Sequence, residues 1–132
     1  MAETTTLPAL NSKTAVVRWK RATEADLELV QVNMASLAEQ SKSVPNHFCY
    51  LEMFRKAKGT AVALRWRDPA HGYLSDDTFS ALLARVPREV RPWYRRIDVQ
   101  AQVLNLYERT LRAALKSAED ALTLHEEHAH AA

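Results

Sequence analysis

From Pro87 to Glu126 the chain contains no glycine, and Pro92 is the one proline inside that stretch, close to its start. Within it Val90, Tyr94, Ile97, Ala101, Leu104, Glu108, Leu111, Leu115, Ala118 and Leu122 follow one another at alternating spacings of four and three. That is a heptad seam with one polar interruption, Glu108, and it predicts a single long C-terminal helix over about 87–126. A helix of this length has to bury its stripe, either against an N-terminal helix or against a second copy of the protein. Asn105 and Glu108 break the apolar stripe, and their expected role is to set helix register or partner choice.

Glycine is scarce throughout: Gly59 and Gly72 are the only two in 132 residues. Folds built on many tight turns, or on a Gly-rich phosphate loop, are therefore poor candidates, and the composition favours helices. Residues 1–13 are polar and Thr-rich and read as a flexible segment. Residues 14–126 form one α+β domain, and 127–132 a flexible His/Ala tail.

Upstream of the long helix the pattern is mixed. Thr14 to Lys20 alternates, with Val17 and Trp19 on one side and Arg18 and Lys20 on the other, which predicts a short strand. Thr23-Glu24-Ala25-Asp26 then resembles a capping box opening a helix from Thr23 to Ser41, with Leu27, Val30, Met34 and Leu37 on its apolar face. His47 to Phe54 reads as a strand, with a short helix as the alternative. Thr60 to Arg67 alternates clearly, with Val62, Leu64 and Trp66 against Ala63, Arg65 and Arg67. Asp68-Pro69-Ala70-His71-Gly72 supplies turn chemistry, and Tyr73-Leu74 begins a return strand. Ser75-Asp76-Asp77-Thr78 starts another helix, carrying Phe79, Leu82 and Leu83 and stopping before Pro87. The expected fold is α+β and mainly α: a long C-terminal helix packed on an N-terminal helix, with a short antiparallel hairpin or small sheet.

Charge is modest in sum, +2, but segregated. Lys42 to Arg67 holds six basic residues against Glu52, and Arg85 to Arg96 holds five arginines against Glu89. Each tryptophan sits in a basic cluster: Arg18-Trp19-Lys20-Arg21, Arg65-Trp66-Arg67 and Arg91-Pro92-Trp93-Tyr94-Arg95-Arg96. Such segregation creates local positive fields suited to polyanions. Face assignment makes the tryptophans anchors, since Trp66 shares a face with Leu64 and Trp93 with Val90 and Ile97. The cations are left to bind. Expected phosphate contacts are Arg65 and Arg67 on the hairpin, Arg88, Arg91 and Arg95 on one face of the long helix, and Lys56 and Lys58 in support. No base-reading motif is present, so the expected partner is DNA or RNA bound through its backbone.

Catalysis, metals and cofactors find no convergent site. Asp76-Asp77 suits capping and the dipole of a helix start. Cys49, the sole cysteine, excludes an intramolecular disulfide, and its Phe48-Cys49-Tyr50 setting is that of a packing position. His47 with Cys49 does not make a nucleophile–base pair at that spacing. His125, His128 and His130 lie in a polar terminus without the scaffold a metal needs. There is no signal peptide and no apolar run of membrane-spanning length, which leaves a cytoplasmic protein with no membrane partner.

Leu64-Arg65-Trp66-Arg67, Arg91-Pro92-Trp93-Tyr94 and Leu104-Asn105-Leu106-Tyr107-Glu108 carry one resemblance. Over roughly 48–122 the chain resembles small proteins of bacterial integrative and conjugative elements and plasmids. The resemblance implies a role in mobile-element maintenance, replication or transfer, and it brings no catalytic residue with it. The expected function is a non-enzymatic nucleic-acid-binding accessory. The alternative is a helical interaction module that joins a protein partner, or a homodimer, through the long helix as a structural subunit or inhibitor of a larger nucleoprotein assembly.

Overall fold

The computed structural model describes residues 12–45, 47–55, 61–70 and 72–131. Its elements are α1 (Lys13–Ser41), β1 (Tyr50–Arg55), β2 (Val62–Asp68), β3 (Gly72–Tyr73), α2 (Asp76–Leu83) and α3 (Arg91–Ala131). The expected architecture is what forms: a mainly helical chain in which the long C-terminal helix packs on the N-terminal one beside a small antiparallel sheet. Two compact units are present, Met1–Glu28 with Thr110–Ala132, and Leu29–Arg109, and the division falls within α1 and within α3.

In the first unit, Ser12 caps α1 from the position before it, its hydroxyl accepting from the Ala15 amide at 3.2 Å. The strand expected at Thr14 to Lys20 is helix instead, and the cap expected at Thr23 lies ten residues inside it. The reason is the longer register. Val16, Thr23 and Leu27 are buried together at spacings of seven and four, and no glycine or proline separates them. Two-residue alternation over so short a run yields to that stripe. Thr23 folds its hydroxyl back onto the Trp19 carbonyl at 2.9 Å, a bond threonine makes inside helices. On α3, Ala118 is fully buried and Leu111, Leu115 and Leu122 are half-buried, so the expected seam is realised here. Lys13 meets Glu126 at 3.7 Å.

In the second unit the seam continues as Val30, Met34 and Leu37 on α1 and Tyr94, Ile97, Ala101 and Glu108 on α3, all buried. The sheet order is β1-β2-β3, antiparallel throughout. Its inner face carries Leu51, Leu64 and Trp66, and Trp66 stacks on Phe79 of α2 at 4.7 Å and 12°. Ser41 locks the end of α1 to the sheet: its hydroxyl donates to Ala38 O at 2.6 Å and accepts from Leu51 N at 2.8 Å. Gly72 turns the chain into β3 with φ +80, a conformation that favours glycine. Ser75 caps α2 by accepting from the Thr78 amide at 3.1 Å, and Asp76 and Asp77 fill the first turn. α3 starts at Arg91, four residues later than expected, after a turn closed by Val90 N on Pro87 O at 3.0 Å. Pro92 therefore occupies the first helical turn, where its missing N–H costs no bond.

Candidate nucleic-acid interface

The pairing of β1 with β2 places Tyr50 opposite Arg67, Glu52 opposite Arg65 and Phe54 opposite Ala63, while β3 places Tyr73 opposite Arg67. Strand alternation puts the residues between these on the core side, where Leu51, Leu64 and Trp66 are buried. The outer face is consequently a set of three aromatic rings with two arginines among them and one carboxylate.

Arg65 is the centre of this face. Its guanidinium lies 5.0 Å from the Phe54 ring centroid and 4.6 Å from that of Tyr73, and the two rings meet edge to face at 5.4 Å. A guanidinium seated on a ring is held by the ring's negative face while its N–H edges stay free to bind an anion. Arg65 itself is exposed. Arg67 lies 5.3 Å from the Tyr73 ring and 3.2 Å from Glu52 Oε1. Glu52, then Tyr50, raises its pKa, so it is a cation at any working pH. The Tyr73 hydroxyl donates to the same Glu52 oxygen at 3.0 Å, and its pKa is raised by burial first and by that bond second. Lys42 extends the pattern, with its ammonium 5.3 Å from the Tyr50 ring, and His47 packs edge-on against Tyr50 at 5.9 Å.

The long helix and its approach distribute the other expected arginines differently. Arg88 stands in the turn before α3, not on the helix, and is exposed. Arg91 is half-buried and occupied: its Nε donates to Val86 O at 2.9 Å and its Nη2 to Ala84 O at 2.6 Å, closing the end of α2. Arg95 is exposed on α3. No stripe of three free arginines therefore exists there, because Arg88 is off the helix and Arg91 serves the preceding loop. Lys56 and Lys58 lie outside the described residues.

Behind the sheet the groups are structural. Trp66 Nε1 donates to Asp98 Oδ1 at 2.8 Å, and Gln102 Nε2 donates to the other Asp98 oxygen at 2.7 Å. Asn105 pairs with β2 through both ends of its carboxamide, accepting from Leu64 N at 2.7 Å and donating to Leu64 O at 3.0 Å. β3 is only two residues long, so this side chain satisfies the strand edge that β3 leaves uncovered. Cys49 is fully buried, and burial above all, with Asp68 and Asp98 adding to it, pushes its thiol up to about 12. A thiol held neutral is no nucleophile. Among the described residues no cluster of His, Cys, Asp and Glu is arranged to hold a metal ion, and no helix is long and apolar enough to cross a membrane.

Sequence reasoning placed Arg65 and Arg67 on one strand face but passed over Tyr50, Phe54 and Tyr73, which complete it. The signal was available: Tyr50-x-Glu52-x-Phe54 repeats at two, the spacing of one strand face. No protein-family profile, curated protein or solved structure matches the chain.

Proposed function

We propose that this protein is a non-enzymatic nucleic-acid-binding accessory that takes a single strand on the outer face of its sheet. One observation carries the reading: an exposed arginine, Arg65, seated across the Phe54 and Tyr73 rings on an open strand face. Arginine edges pair with phosphates, and partly exposed rings beside them accept unstacked bases without choosing among them. A duplex, whose bases are already stacked, gains only the phosphate contacts. Recognition is then backbone-led with little sequence preference. Glu52 orients Arg67 and Tyr73 and lowers the positive charge of the face, which keeps the binding moderate. The resemblance carried by Leu64-Arg65-Trp66-Arg67, Arg91-Pro92-Trp93-Tyr94 and Leu104-Asn105-Leu106-Tyr107-Glu108 supports a setting in a bacterial mobile element, and the proposed location is the cytoplasm.

The reading is tested by charge reversal at two places. Arg65→Glu with Arg67→Glu is expected to abolish gel-shift binding of single-stranded oligonucleotides while the circular dichroism stays that of the parent. Arg88→Glu with Arg95→Glu is expected to weaken it much less. Equal losses in the two variants, or none in the first, would remove the sheet face as the site.

A further inference from the structure

One group on the outer face of the sheet repels phosphate: the Glu52 carboxylate. Its side chain is 37% exposed, so it lies open to whatever covers the face. Strand alternation sets it between Tyr50 and Phe54 along β1, with Arg65 opposite it on β2. Arg67 Nη1 at 3.2 Å and the Tyr73 hydroxyl at 3.0 Å both donate to Oε1, and among the described residues no hydrogen bond falls on the second oxygen. Two donors thus hold the carboxylate in place and leave it an acceptor among the rings. An ion pair this exposed adds little stability, so steadying Arg67 does not by itself account for a negative charge in the middle of an anion-binding face.

A carboxylate only accepts, so a strand that covers it must present a donor at that point or leave it facing phosphate. The deoxyribose–phosphate backbone carries no hydrogen-bond donor. Base N–H groups are donors, but their positions differ from base to base, and a carboxylate that used them would read sequence. Ribose offers a hydroxyl donor at every nucleotide, in the same place whatever the base. A strand laid along β1 with bases at Tyr50 and Phe54 carries its sugars across the residue between them, which is Glu52. A face that binds with little sequence preference and holds an acceptor between its rings is thereby matched to ribose.

We infer that the single strand bound on this face is RNA, with the Glu52 carboxylate accepting from a ribose 2′-hydroxyl. The inference rests on the nucleic-acid reading of the sheet face and adds to it the choice of sugar. Fluorescence anisotropy of labelled oligouridine built on ribose, 2′-deoxyribose or 2′-O-methylribose varies the sugar alone, and the 2′-O-methyl form keeps the oxygen but cannot donate. The parent is expected to bind the ribose form about tenfold more tightly than either of the others, the share of one charge-assisted hydrogen bond. Glu52→Ala is expected to bind the ribose and deoxyribose forms alike, and the deoxyribose form more tightly than the parent does, because a charge that repels phosphate is gone. Equal binding of the two forms by the parent, both abolished by Arg65→Glu with Arg67→Glu, overturns the choice of RNA and leaves the sheet face as the site. A 2′-O-methyl form bound as well as the ribose form overturns the hydroxyl contact. So does a Glu52→Ala variant that shifts both forms by the same factor, since Glu52 then only supports Arg67. No binding of any form removes the sheet-face reading, and this inference with it.

Discussion

At the scale of the residue, the same side-chain type does opposite work on the sheet and at the start of the long helix. Arg65 rests on two rings and is exposed, whereas Arg91 spends its N–H groups on the carbonyls of Ala84 and Val86. Arg91→Ala should therefore cost about 1–2 kcal/mol of stability, the usual worth of charge-assisted bonds to partly solvated carbonyls, and Arg65→Ala should cost little. Denaturant melts of the two variants check the difference. Trp66 lies at the other extreme, buried at 6% exposure and bonded through its indole to Asp98. Trp66→Ala should destabilise by about 3–5 kcal/mol, as large-to-small changes at buried aromatics do. A stable Trp66→Ala protein that had lost binding would make this ring a ligand contact instead. Cys49 gives a pH signature. Its folded pKa of about 12 exceeds the ordinary 9.0, so between those values the unfolded chain gives up the thiol proton first. Stability is intact below pH 9 and falls as the pH rises towards 12. Cys49→Ala should flatten that alkaline fall in melting temperature, and native protein should resist thiol alkylation at pH values where unfolded protein reacts.

At the scale of the element, Asn105 fixes how α3 lies on the sheet by standing in for a missing strand at Leu64. Asn105→Leu should cost about 2–4 kcal/mol, because it strands a backbone donor and an acceptor in a partly buried site. Leu111→Ala, on the half-buried part of the seam, should cost about 2 kcal/mol, the low end for a core leucine. The elements with a local cause were the legible ones. A heptad seam without glycine reads as helix anywhere, Ser75-Asp76-Asp77 caps a helix by its own chemistry, and Gly72 ends a turn by its own freedom. α1 was half legible, because the alternation expected over Thr14 to Lys20 imitates a strand, and only the distant Thr23 and Leu27 reveal the longer period. The arginine stripe on α3 failed for a different reason. Helical spacing gives a direction, but the carbonyls that occupy Arg91 belong to the preceding loop, whose path no spacing predicts. Tyr50, Phe54 and Tyr73 come together only once strand register is known.

At the scale of the whole molecule, the net charge of +2 is too small to hold a polyanion by long-range attraction alone. On the proposed reading, affinity comes from a few close contacts on the sheet face, and its salt dependence should be shallow. Fluorescence anisotropy of a labelled single-stranded oligonucleotide, titrated with parent and with Phe54→Ala and Arg65→Ala variants over a range of salt, reads those contacts directly. The expected result is a preference for single strand over duplex. With it should come a loss of about 1–3 kcal/mol for Phe54→Ala that salt does not change, the worth of one stacked base. Arg65→Ala should lower the log-log salt slope by about 0.7, the share of one phosphate on a single strand. Binding that favours duplex, or that is unaffected by both substitutions, would contradict the account.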